Sequence, residues 1–283
     1  MTLFLQYLAS GIATGSTFAL VATGFVVIYR VTGVVNFAQG VFAVLGGLVA
    51  YTFLQAGIPH VLAEALAVVA AAFSGLVVGV VALGRRGTLP LASLIITLGL
   101  AVFSYAVVIT VWGDQPLSYN GLEGLIEFQG VIMQRQYALI VIVTALTFLG
   151  LAIFFRRTYL GKALTACSSN PHAARLMGIN VWRMGLLAFA GGGALGGLAG
   201  VLLAPIRPVQ FDSDVGIAIN GFAAAIFGGL VRPVTALIGG LVLGVAEAMV
   251  AGYFRSSYQS AVALAIMIVL MVWQASRRGP APE

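Results

Sequence analysis

Charged residues are scarce in this chain. Only 8% of its 283 residues are Asp, Glu, Lys or Arg, whereas soluble globular domains carry about 25%. Apolar residues make up 61%, and the mean hydropathy is +1.08. Most of the surface must therefore face lipid, and 36 glycines suit tightly packed membrane helices. The composition predicts an all-α polytopic membrane protein.

Reactive groups are equally sparse. The one cysteine, Cys167, excludes an intrachain disulfide and is predicted to be a small buried filler. No His, Cys, Asp or Glu cluster has metal-ligand spacing, and no Ser–His–acid arrangement is suggested. We therefore predict no catalytic residue and no metal site. No Lys or Arg precedes the first apolar run, so this run is predicted to be an uncleaved span rather than a secretory signal.

Nine apolar segments approach the length of about 20 residues that a membrane span requires. Two of them are short and contain polar residues, so that each either spans or forms a broken or re-entrant segment. We predict eight or nine transmembrane helices in one domain, 1–283. The segments are 4–28, 36–53, 61–83, 90–112, 137–155, 184–204, 216–230, 234–252 and 259–276, the short ones being 36–53 and 216–230.

The positions of the basic residues orient these segments. The polar stretch Arg156–Arg183 contains five of the 14 basic residues and no acid. If this stretch is cytoplasmic, alternation leaves only Arg135, Arg207 and Arg255 outside, as the positive-inside rule favours. The N-terminus is then outside and the tail 277–283 is cytoplasmic. Because the net charge of +6 follows this topology, nucleic acid is not expected as a partner.

A short helix with its own end signals is predicted within Arg156–Arg183. Asn170 is a good N-cap, and Pro171 suits the first helical position. Gly178 suits the left-handed conformation that often ends a helix. Ile179 can supply the apolar contact that often accompanies such an ending. Two interpretations remain open: the helix only covers the bundle, or it is a coupling helix that docks in a groove of a partner.

The run from Gly161 to Asn180, GKALTACSSNPHAARLMGIN, resembles the ATPase-contacting loop of branched-chain amino acid ABC importer permeases. Three further stretches are similar to that family in the same order: VNFAQG at 35–40, LIITLGL at 94–100, and the glycine-rich block from Gly228 to Glu247. The resemblance extends over nearly the whole chain and is closest to the shorter of the two permease subunits.

The resemblance implies a permease that takes up branched-chain amino acids, or a related small amino acid, amide or carboxylate, by alternating access in a bacterial inner membrane. It implies four partners: a second, homologous permease, two cytoplasmic ATPases that bind ATP and Mg, and an extracytoplasmic solute-binding protein. The chain itself is expected to bind no cofactor, because Arg156 stands where a Walker A motif needs its first glycine. Alternatives are an ABC importer for urea, aromatic acids or sugars, and a secondary transporter.

The resemblance also implies where these partners bind. The loops 113–136 and 205–215 are expected to receive the binding protein, with Asp212 and Asp214 as candidates to pair with its basic residues. The residues implied in ATPase coupling are Gly161, Lys162, Asn170, Pro171, His172, Ala174, Arg175, Leu176, Gly178, Ile179 and Asn180.

Polar residues inside the spans are the candidates for the solute pathway, because an ionised group at bilayer depth costs about 2.5–3.5 kcal/mol. Glu247 either contacts a substrate ammonium or forms hydrogen bonds to neighbouring helices. The resemblance favours the second role. Asn36 and Gln39 either line the pathway or satisfy backbone groups freed where a helix starts. The remaining candidates are Gly40, Thr97, Gly99 and Asn220. Separately, Gly192, Gly196 and Gly200 share one helix face and predict close helix packing.

Overall fold

A computed structural model describes residues 2–84, 89–128 and 131–254, together with 261, 264–266, 268, 269 and 272. Six helices are long and apolar enough to cross a membrane: α1 (Thr2–Thr32), α3 (His60–Leu83), α4 (Pro90–Trp112), α5 (Arg135–Arg157), α8 (Val181–Leu203) and α10 (Pro233–Tyr253). Two apolar helices are shorter: α2 (Gln39–Gln55) and α9 (Ser213–Phe227). The chain is therefore an all-α polytopic protein, as predicted.

Smaller elements lie between these helices. Two helices, α6 (Tyr159–Ser169) and α7 (Pro171–Leu176), follow α5, and an antiparallel hairpin of β1 (Leu125–Phe128) and β2 (Val131–Gln134) precedes it. Each predicted segment up to residue 252 overlaps a helix. Most of segment 259–276 and the tail 277–283 lie outside the described residues. Neither α6 nor the hairpin was predicted.

Helix α1 forms the centre of the bundle and packs against α8, α9 and α10. Its contact with α10 depends on glycine: a methyl group on Gly15 would lie 2.7 Å from the carbonyl oxygen of Gly240 and 2.8 Å from the Cα of Leu241. Backbone atoms cannot yield as a flexible side chain can, so the two helices approach this closely only because Gly15 has no side chain. In contrast, α4 and α5 are mostly exposed.

The glycine face of α8 lies against α1 and α2. A Cβ on Gly192 would lie 2.9 Å from Cγ1 of Ile28 in α1, and one on Gly196 the same distance from Cβ of Phe42 in α2. Gly200 lies directly against the backbone of Ala43, also in α2. The spacing of these three glycines thus places two neighbouring helices in close contact with α8.

The short helices α2 and α9 begin beside each other inside the bundle. The chain leaves α1 at Thr32 and turns back, so that Gln39, the first residue of α2, lies against Gly24 of α1. Gly40 then lies against the backbone carbonyl of Asp214, in the first turn of α9. Segment 36–53 is therefore broken at its start, since its helix begins within the bundle and not at its end.

The two ends of the bundle differ in charge. The end that carries α6 and α7, the basic end, also holds Arg30, whose guanidinium donates to Ser168 Oγ at 3.3 Å. The opposite end carries the hairpin and is called the hairpin end. Arg85, Arg86, Arg255, Arg277 and Arg278 lie outside the described residues. The described basic residues at the basic end are Arg30, Arg156, Arg157, Lys162, Arg175, Arg183 and Arg232, and those at the hairpin end are Arg135 and Arg207.

Candidate coupling surface and solute pathway

Helix α7 has the end geometry that the sequence predicts. Asn170 Oδ1 accepts hydrogen bonds from the backbone N–H groups of His172 and Ala173, both at 3.0 Å. At the other end Gly178 has a φ of +81°. The backbone N–H of Gly178 donates to the Arg175 carbonyl oxygen, and the N–H of Ile179 donates to the Ala174 carbonyl oxygen, both at 3.0 Å. This pair of bonds is a Schellman ending, which fixes where so short a helix stops.

The tip of α7 carries two large apolar side chains in an exposed position. Leu176 is 78% exposed and Met177 is 82% exposed, whereas Ala174 is buried against the bundle. They project at the basic end, among charged residues and beyond the end of α5, and therefore not on the lipid-facing part of a span. Exposed apolar groups in such a place are typical of a protein–protein contact. Lys162, Pro171, His172, Arg175, Gly178 and Asn180 are exposed as well, and Ile179 is half-buried.

Gly161 does not belong to this exposed surface. It is buried in α6, where a Cβ would lie 2.7 Å from the Cα of Phe155 in α5. Thr158 caps α6 by accepting from the Gly161 N–H at 3.0 Å. Gly161 therefore lets α6 pack on α5, a place that does not fit direct contact with an ATPase. Cys167 on the same helix is buried, as predicted, and this burial raises the pKa of its thiol although Arg175 opposes the shift.

The break between α1 and α2, residues 33–38, is held by polar side chains. Asn36 Oδ1 accepts from the Ala38 N–H at 3.1 Å, and Thr97 Oγ1 on α4 accepts from the Phe37 N–H at 3.2 Å. Gln39 Nε2 donates to the Gly192 carbonyl at 2.9 Å. These bonds give partners to backbone N–H and C=O groups, because water is not available to them inside the membrane. The geometry thus favours the second of the two roles considered for Asn36 and Gln39.

Two polar atoms at the break remain without a partner in the described structure. They are Asn36 Nδ2 and Gln39 Oε1, and both residues are completely buried. Buried polar groups are nearly always hydrogen-bonded, so each such atom needs an explanation. Their hydrogen-bonding capacity is therefore unused at the start of α2 in the described structure.

We expect Thr97→Val to lower the free energy of unfolding by about 1–3 kcal/mol, because it leaves the Phe37 N–H without an acceptor at nearly constant side-chain volume. Thr110→Val on the same helix is the matched control, since Thr110 is exposed and its hydroxyl donates to the Ala106 carbonyl of its own helix. Thermal unfolding of the purified protein in detergent measures both. Equal midpoint shifts for the two variants would show that Thr97 does not support the break.

Glu247 and Asn220 face a cavity of about 380 Å³ at the hairpin end. Glu247 is only 4% exposed, and its Oε1 has no hydrogen-bond partner in the described structure. Sequence reasoning missed Arg207 and Ser213, which also line this cavity and lie in or beside the connection between α8 and α9. Arg207 and Glu247 are 40 positions apart, so no local pattern in the sequence indicates that they line one cavity.

Two candidate residues differ in their surroundings from the other members of their groups. Asp214 is buried, with Oδ1 unpartnered in the described structure, because it lies in the first turn of α9 against α2. It is therefore not placed to pair with a partner's basic residues, whereas Asp212 is exposed. Gly99 is exposed on α4, and a Cβ there meets nothing within 4 Å. Gly99 thus lies on the exposed side of α4, whereas Thr97 on the same helix is buried.

Comparison with known proteins gives a consistent result. Residues 7–271 match the family model described as branched-chain amino acid transport system, permease component. The chain is 32% identical to the high-affinity branched-chain amino acid transport system permease protein LivH of Salmonella typhimurium, over 95% of this chain and 93% of that one. It is 31% identical to BraD of Pseudomonas aeruginosa, described in the same words, over 96% of this chain and 94% of the relative.

More distant likenesses extend these matches. The ribose import permease protein RbsC of Escherichia coli is 27% identical, over 90% of this chain and 80% of that one. Among solved structures, PsaBC from Streptococcus pneumoniae in complex with Fab matches with a TM-score of 0.53 at 16% identity, covering 94% of this chain and 90% of that chain. At this identity the structural match supports the fold alone.

Proposed function

Because this chain belongs to the family of branched-chain amino acid transport permeases, we propose that it forms part of the membrane pathway of an ATP-driven importer for branched-chain amino acids or a closely related small solute. Its family is a transport component and not an enzyme. The observation that carries the coupling part of the proposal is the exposed apolar tip of α7, Leu176 and Met177, on a helix closed at both ends.

In this proposal α7 docks in a groove of a cytoplasmic ATPase, with Leu176 and Met177 as its apolar anchors. Helices that transmit force to a partner must not unravel, and the Asn170 cap and the Schellman ending at Gly178 supply that rigidity. Helix α6 packs on α5 through Gly161, so movement of α7 is passed to a long helix of the bundle. ATP and Mg are bound by the ATPases, and this chain alternates between outward- and inward-open states.

The distribution of charges supports an orientation in the membrane. With seven described basic residues at the basic end and two at the hairpin end, the basic end is cytoplasmic in a bacterial inner membrane and the N-terminus is outside. The hairpin end then receives the solute-binding protein. Labelling of a cysteine introduced at the exposed Ser169 by an impermeant maleimide added outside intact cells would contradict this orientation.

A second permease completes the pathway. Helices α4 and α5 expose long apolar faces, and α4 contacts only α2 and α3 appreciably among the described elements. These faces are suited to lipid or to the second permease. A related sugar importer is the second candidate function, because RbsC is similar over 90% of this chain. The charged cavity beside Glu247 favours a charged solute over a sugar.

The decisive measurement is uptake by the reconstituted importer. We expect vesicles containing this permease, its second permease, the ATPases and the binding protein to accumulate labelled leucine only when ATP is supplied on the ATPase side. Ribose is the comparison solute. Leucine accumulation by the permeases without any ATPase would contradict ATP coupling, and ATP-driven uptake of ribose but not leucine would select the second candidate.

A further inference from the structure

Two acids, Glu247 and Asp212, and one base, Arg207, line the cavity, and in the described structure none of them forms a direct ion pair. Glu247 lies at its buried side, while Arg207 is exposed. In the described part of the chain, the one ion pair within 4.0 Å is His60–Glu64. The Arg207 guanidinium and the Glu247 carboxylate are therefore farther apart than a direct ion pair. A space of about 380 Å³ borders both groups.

Burial makes this arrangement costly when the cavity is empty. A buried carboxylate that lacks a partner is unfavourable unless another group neutralises it. Glu247 Oε1 has no hydrogen-bond partner among the described residues, and the residue is 4% exposed. Asn220, in the same cavity, is a side-chain hydrogen-bond partner of the Glu247 carboxyl but supplies no charge. A cationic ligand would provide the missing compensation.

Apolar side chains from several helices form one part of the lining, beside the polar residues Gln210, Asp212 and Ser213. Phe18 from α1, Leu203 at the end of α8 and Ile217 from α9 contribute to it, and Leu264 joins them. A cavity of this volume lies within the range of about 300–1,000 Å³ for small-molecule sites. Its lining thus offers a buried acid, Glu247, an exposed acid, Asp212, one base, Arg207, and an aliphatic or aromatic wall. Neither a sugar nor a simple carboxylic acid would use this combination completely.

We propose that this cavity binds a free zwitterionic amino acid, with Glu247 accepting hydrogen bonds from the α-ammonium group and Arg207 donating to the α-carboxylate. The apolar wall contacts the branched side chain. Arginine donates two parallel N–H groups to a carboxylate, which fixes its orientation. This inference rests on the proposed function and adds to it the residues that recognise the solute's two charges.

The test is direct binding of labelled leucine to the purified permease–ATPase complex without the binding protein. Two competitors separate the charges: 4-methylpentanoate lacks the ammonium group, and 3-methylbutylamine lacks the carboxylate. We expect Glu247→Gln to weaken the binding of leucine and 3-methylbutylamine by about 10-fold or more. The affinity for 4-methylpentanoate should stay unchanged. Arg207→Gln should weaken the binding of leucine and 4-methylpentanoate by a similar factor. The affinity for 3-methylbutylamine should stay unchanged.

Glu123→Gln is the matched control, because Glu123 is an exposed acid at the same end of the bundle and outside the cavity. It should leave all three affinities unchanged. Absence of saturable leucine binding to the wild-type complex, or variants that weaken all three compounds alike, would overturn the inference.

The inference and the proposed function fail in different ways. If the wild-type importer accumulates leucine with ATP while Glu247→Gln binds all three compounds normally, the cavity is not the solute site and the importer function stands. If the wild-type importer accumulates neither leucine nor a related amino acid, the proposed function itself is wrong. Thermal unfolding of each variant checks that a loss of binding does not reflect loss of the fold.

Discussion

Replacement of both Leu176 and Met177 by aspartate should release the ATPases from the permease and abolish ATP-driven uptake. Each side chain is more than three-quarters exposed on a helix that is otherwise fixed by its caps. Apolar anchors of an interface typically contribute about 2 kcal/mol or more each, so the double change should weaken ATPase binding by at least about 100-fold. Co-purification of the ATPases and leucine uptake in vesicles measure the effect.

Leu122→Asp provides the control for this change. Leu122 is an exposed leucine at the hairpin end, 51% exposed, and the substitution introduces the same kind of charge. It should leave the ATPases bound. Both sets of variants should keep the wild-type unfolding midpoint, because neither exposed site forms part of the core. If the double aspartate variant co-purifies with a stoichiometric amount of ATPase and takes up leucine normally, α7 is not part of the coupling mechanism.

Gly15→Leu should destabilise the bundle more than any other single change described above. The new side chain would collide with the backbone of Gly240 and Leu241, which cannot move without separating α10 from the central helix. Overpacking typically costs about 1–3 kcal/mol, and a collision with backbone belongs at the upper end of that range or beyond it. The expected result is a strongly reduced yield of folded protein and a lower unfolding midpoint in detergent.

Gly150→Leu on α5 separates this collision from the general effect of losing a glycine. A Cβ at Gly150 meets nothing within 4 Å, and leucine is intrinsically a better helix former than glycine by roughly 0.8–1 kcal/mol. Its unfolding midpoint should therefore equal or exceed the wild-type value. Similar midpoints for Gly15→Leu and Gly150→Leu would show that α1 and α10 do not pack as closely as described.

Local signals in the sequence predict local structure well in this protein. Asn170, Pro171 and Gly178 act within a few residues of their own positions, and the helix between them begins and ends as expected. Helix α6 was missed although Thr158 caps it, because its residues were read as part of one polar loop. The lengths of the long spans were predictable because lipid imposes them.

Contacts between distant residues were not predictable in the same way. The acceptor for the Phe37 N–H is Thr97, 60 residues away, so whether the second segment breaks or spans is decided by another helix. Arg207, in the connection after α8, and Glu247, in α10, line one cavity although they are far apart in the sequence. Asp214 was expected on the surface because it lies in the predicted exterior loop 205–215, but the start of α9 lies inside, against α2.

The loop after α4 and the cavity are physically joined. Leu117, in the loop after α4, exchanges two backbone hydrogen bonds with Val209, at 2.9 and 2.8 Å. Val209 lies in the cavity wall two positions from Arg207. A protein that presses on this loop when it delivers its cargo would therefore displace the rim of the cavity at the same moment, so that docking and admission become one event.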